Sequence, residues 1–303
     1  MRQDFVPCDR ERQRAAVVRI DEKVDSCVER GGAAAAFAAT AVAIVVFWIH
    51  WFASDAYLNA SPPAYCVFKN ASLYPEGVLA VLLALTAAAL LCGLRLAIGI
   101  GLLACGMLWA AAAVDFAASW QNGRFITGPT EELFVRALFV AGCFGVALWG
   151  GWKLHAERYR SSDGPGRHAN LRDLIALVAL ILLGIATSQW GLPSRDDFLP
   201  AFREALLILD VSVLCGAVAV AQGIASGKRW APATGLALCG SMLYRTIFVQ
   251  TFAATNSTRL TGFMARSMCI RPIMVGQSVL LVLVLIAVSR LWSAVLPRRS
   301  RAQ

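Results

Sequence analysis

From residue 33 onward the chain alternates between long unbroken apolar runs and short polar interruptions. Eight runs lie near 33–52, 77–94, 96–118, 132–152, 171–190, 205–226, 231–253 and 272–292. Each stays apolar for about 18 residues or more, too long for a strand and long enough to cross a bilayer as a helix. Gly93-Leu94-Arg95 separates the second run from the third, and Gly227-Lys228-Arg229 separates the sixth from the seventh. Both interruptions predict tight turns between neighbouring antiparallel helices. Residues 1–32 are different: seven acidic and seven basic residues fall between Arg2 and Arg30, while Val17, Ile20, Val24, Cys27 and Val28 recur at helical spacing. This pattern predicts an amphipathic helix ending at Gly31-Gly32.

Composition agrees with the pattern. Of the 303 residues 58% are apolar and 16% charged, with a mean hydropathy of +0.62. These values exclude a soluble globular enzyme, a disordered chain and a nucleic-acid-binding module. The fold class expected is all-α: a polytopic membrane protein of eight transmembrane helices.

The net charge of +9 records orientation more than it identifies a partner. With the N-terminus inside, 19 of the 28 Lys and Arg fall in inner segments, namely 1–32, Arg95, 153–172, Lys228/Arg229 and 290–303. Seven fall in outer loops, and Arg136 and Arg245 lie within spans. The positive-inside rule then puts both termini in the cytoplasm, and the Ala- and Arg-rich composition suggests a bacterial inner membrane.

A shift of 134 residues without gaps aligns 93–128 on 227–262 with ten identities, among them Gly93/Gly227, Arg95/Arg229, Gly101/Gly235, Cys105/Cys239 and Gly106/Gly240. The expected organisation is a cytosolic helix (1–32), a four-helix repeat (33–152), a basic linker (153–170), a second four-helix repeat (171–292) and a basic tail (293–303). Four spans per half is an even number, so the repeats are parallel, related by an axis along the membrane normal. The small residues matched by the shift, Ala97, Gly101 and Cys105 with Ala231, Gly235 and Cys239, suit close packing of spans three and seven.

Charge inside a span costs about 2.5–3.5 kcal/mol near the helix centre, so such residues are the best candidates for function. Asp210 and Arg245 lie in the outer halves of two spans joined by a tight turn, and are expected to pair. Asp115 and Arg136 stand in similar positions in the first half. Their roles are either a register-fixing ion pair or a substrate-binding site reached from outside.

Met264, Met268 and Cys269, with Met274 nearby, are soft donors that suit Cu(I) or, more simply, apolar packing. Cys66 and Cys269 are the cysteines expected outside and are candidates for a disulfide.

His50 to Asp55 has the His-x4-Asp form of a glycerolipid acyltransferase motif, and Pro75-Glu76-Gly77 imitates the second motif. The two lie only about 20 residues apart, too close for that catalytic arrangement. No metalloprotease helix, phosphate-binding loop or nucleophile elbow occurs, so no enzyme is expected and no cofactor is identified. The function expected is a transporter or permease for a small solute or ion. The second reading is an assembly, sensor or immunity-type membrane protein that holds a protein partner through residues 1–30. Beyond the bilayer, partners are therefore a solute, an ion or a protein, not nucleic acid.

Overall fold

A computed structural model describes residues 9–53, 63–122, 151, 199–226, 228 and 230–255, together with 275, 277–279, 281–289, 291, 292 and 295. Apart from two turns, these residues are helical. The helices are α1 (Asp9–Ala53), α2 (Pro63–Leu91), α3 (Leu96–Asn122), α4 (Leu199–Ala225), α5 (Ala231–Thr255) and α6 (Gln277–Ser289). Three stretches, Arg30–His50, Ala71–Leu91 and Leu96–Asp115, are long and apolar enough to cross a membrane. Every described element is a helix, and the chain is an integral membrane protein. The expected spans 132–152 and 171–190, the linker 153–170 and the tail beyond 295 lie outside the described residues, residue 151 excepted.

Two expectations need correction. Gly31-Gly32 does not end the first helix, which runs unbroken for 45 residues. Each glycine costs a helix interior only about 0.5–1 kcal/mol relative to Ala. Ala33–Ala36 and a span come directly after, so propagation wins. The second helix begins at Pro63, not at residue 77, and carries Pro75 in its interior. Inside a bilayer no water can take over the broken backbone bonds, so a helix tolerates proline rather than unwinding around it.

The turns joining α2 to α3 and α4 to α5 are built alike. In the first, Cys92 N–H donates to Ala88 at 3.0 Å, Leu94 N–H to Ala89 at 2.8 Å, and Ala97 N–H to Leu94 at 3.0 Å. In the second, Ser226 donates to Gln222 at 2.9 Å, Lys228 to Gly223 at 2.7 Å, and Ala231 to Lys228 at 3.2 Å. In these three pairs of bonds each donor and each acceptor is 134 residues from its counterpart. Gly93 closes α2 with φ of 66°, the left-handed conformation a Schellman cap needs.

The contacts set the helix directions. Arg30 on α1 lies beside Gly93, while Trp48 reaches Glu76, so α1 and α2 are antiparallel. The Trp292 ring covers Gly99 of α3, and Leu291 covers Gly235 of α5. Therefore α3 and α5 run parallel, and residues 30, 93, 228 and 292 share one end of the bundle, called here the turn end.

The core is the α3/α5 crossing. A Cβ on Gly106 would enter the Ala237 carbonyl oxygen, and one on Gly240 would enter the Leu103 carbonyl oxygen. Ser241 Oγ donates to the Gly106 carbonyl at 2.8 Å. Absent side chains let the backbones touch, the usual driving contact where lipid removes any hydrophobic gain from helix pairing. Around this axis α2 packs on α3 and α5, and α4 packs on α5 and α3. Burial runs in the same order: 83% of the span window in α3 is buried, against 50% in α2 and 39% in α1, which among the described helices packs on α2.

Candidate functional site

Apart from Thr86 and Ser241, the polar side chains buried among the described residues lie on the side away from the turn end. Glu76 and Ser72 come from α2, Asp210 from α4, Tyr244, Arg245 and Thr251 from α5, and Gln277 from α6. At 1.5 Å per residue, Glu76, Asp210 and Arg245 each stand about 21–23 Å from the turn-end limit of their helices. They stand at one level along their helices, a distance of about 70–75% of a hydrocarbon core of about 30 Å.

Asp210 and Arg245 meet at that level. Arg245 Nε donates to Asp210 Oδ1, and Nη2 donates to Oδ2 at 3.0 Å. The two groups are 1% and 0% exposed, so the fork of the guanidinium closes on the carboxylate out of contact with solvent. Antiparallel pairing across the 226–230 turn dictates this register: Gly216 meets Leu238 and Gly223 meets Ala231, which brings residue 210 opposite residue 245. The bidentate geometry is the strongest ion-pair form, and as a unit it is neutral, which lowers the cost of placing it in lipid. Tyr244, beside Arg245, stacks on Phe248 with ring centroids 6.1 Å apart.

Glu76 is the residue that sequence reasoning missed. It is 4% exposed, and its Oε2 accepts the Trp48 indole N–H at 2.8 Å. The signal was present, since the 134-residue shift that matches the turns also sets Glu76 on Asp210. Carrying the alignment back by only 17 residues from Gly93 reaches it. Pro75-Glu76-Gly77 looked like a helix boundary or an enzyme motif, yet it is interior helix, and His50 of the other fragment is exposed on α1. The position matching Arg245 is Ala111, so the two halves carry different chemistry in the same frame.

Asp115 is half-buried on α3, one helical turn farther from the turn end than Ala111. Its expected partner Arg136 lies outside the described residues, as do Met264, Met268, Cys269 and Met274. Cys66, expected in an outer loop, belongs to α2; its suggested disulfide partner Cys269 is not among the described residues. Within the described set, no three His, Cys, Asp or Glu side chains are grouped to hold a metal ion.

No protein-family model, no curated protein and no solved structure matches the chain. The functional reading therefore rests on the geometry alone.

Proposed function

We propose that the protein is a transporter or permease for a small solute or ion, with its site in the buried polar layer on the outer side of the bundle. The observation that carries this reading is the Asp210–Arg245 pair, fully enclosed in a membrane bundle with Glu76 at the same depth. Ionisable groups at such depth mark solute and ion pathways in helical membrane proteins. The reading includes eight spans in two parallel four-helix halves, with the turn end and both termini in the cytoplasm of a bacterial inner membrane. It is supported by the matched hydrogen bonds of the two turns and by the reciprocal glycine contacts of α3 and α5. Helices α2 and α4 also end at equivalent residues, 91 and 225.

The decisive variant exchanges the charges, Asp210→Arg with Arg245→Asp, which keeps an ion pair while reversing what a ligand would meet. In proteoliposomes tested with protons, sodium, potassium, chloride and phosphate, wild type should carry a flux absent from protein-free vesicles. The exchanged variant should stay folded and lose it. Flux unchanged by the exchange, or none for any ion and none in a broader solute screen, overturns the reading.

A second reading has its own observation. Helix α1 extends about 32 Å beyond Arg30 on the turn-end side, farther than a membrane span requires. A protein acting through a partner would use that extension. Deleting residues 1–29 should leave transport intact under the first reading and abolish a complex under the second.

A further inference from the structure

The turn end holds a feature that the polar layer does not explain. The turn between α2 and α3 is polar at one point only: Arg95 is exposed, and the large side chains around it, Leu91, Leu94 and Leu96, are 71%, 51% and 49% exposed. Leucines presented this way are unfavourable in water and favourable against acyl chains. Arg30, arriving from α1, lays its guanidinium beside Gly93, with Nη1 3.9 Å from where a Cβ would stand. Gly93 turns the chain with its φ of 66°, and the Arg30 guanidinium lies within ordinary contact of that turn. One arginine beside the four-residue turn 92–95 and one within it thus stand over a rim of exposed leucine. In the equivalent second turn Lys228 is exposed and Trp230 is 36% exposed, a pairing typical of the bilayer interface.

We propose that the α2–α3 turn is a binding site for one anionic phospholipid, with Arg30 and Arg95 holding the headgroup phosphate and Leu91, Leu94 and Leu96 lying along its acyl chains. Guanidinium matches phosphate oxygens in a planar fork and gives up its hydration more readily than an ammonium. The leucines select lipid over a soluble anion, because inorganic phosphate offers them nothing. Lipid retention turns on the turn end lying at a membrane surface and is independent of any transport.

The test uses the full-length protein in nanodiscs of equal phosphatidylcholine and phosphatidylglycerol, released for native mass spectrometry. Wild type should retain phosphatidylglycerol in preference to phosphatidylcholine. Arg95→Gln, a change at an exposed position, should weaken that preference by about fivefold, and Arg30→Gln by a similar factor. Adding inorganic phosphate should neither displace the lipid nor raise thermal stability as phosphatidylglycerol does. Equal retention of the two lipids by wild type overturns the proposal, as does an Arg95→Gln protein that retains phosphatidylglycerol like wild type. Stabilisation by phosphate equal to that by the lipid also overturns it, assigning the turn to a soluble anion.

Discussion

Asp210 and Arg245 are each buried to within 1% of completely, and what happens when one is removed differs from what happens when both are. Arg245→Ala leaves a carboxylate in the bundle without its fork, and Asp210→Ala leaves a guanidinium. Each should cost about 3–5 kcal/mol, whereas replacing both by apolar residues of similar volume should cost far less. Thermal unfolding of the single and double variants in one detergent measures the difference; equal losses in all three would mean that packing, not charge, holds the site. This pair was legible in sequence because a tight turn fixes which residues of two helices can meet. Glu76 was not, because proline and glycine on either side imitate a boundary, and only the helix running through them shows the acid to be interior.

At the scale of elements, glycine decides most of what is specific. Gly106 and Gly240 sit where two helices exchange backbone contacts, and the obstructing atom is a carbonyl oxygen in each case. Backbone cannot swing aside as a side chain can, so Gly106→Ala or Gly240→Ala should separate α3 from α5. Each should cost about 1–3 kcal/mol or more as overpacking, read as a lower unfolding temperature. Gly31 and Gly32 are the contrast: nothing lies within 4 Å of a Cβ at either position. Both are helical, so Gly31→Ala and Gly32→Ala should each stabilise by about 0.4–1 kcal/mol. Sequence pattern matched Gly106 with Gly240 but placed the close packing on Ala97, Gly101 and Cys105 with Ala231, Gly235 and Cys239, whereas Gly235 faces Leu291 and Val220; it read Gly31-Gly32 as a helix end. Spacing along a helix shows that small residues share a face. Whether a glycine breaks or continues a helix depends instead on the helix-forming strength of its neighbours, here the alanines from Ala33 to Ala36.

For the whole molecule, the arrangement of α2 with α3 and of α4 with α5 makes orientation a single choice: every described helix end is assigned once one side is named. With the turn end in the cytoplasm, a cysteine introduced at Ser161 should resist membrane-impermeant thiol reagents in intact cells. One at Ser194 should label, both in a background lacking Cys66 and Cys269. The opposite pattern would invert the protein. Helical class and the membrane environment were readable from the apolar runs, since a bilayer admits few other solutions. The order of burial was not, because lipid-facing and protein-facing positions are equally apolar; α3 is central only because its glycines bring α5 against it.

Helix α1 is a rod about 68 Å long, more than twice the thickness of a hydrocarbon core, with no proline along it. One end lies beyond the turn end, and near the other Trp48 grips Glu76. Torsion applied at the far end therefore has a stiff shaft to travel along, and the indole is its key in the lock. Rotating the shaft by one residue, about 100°, would withdraw Trp48 from the carboxylate altogether.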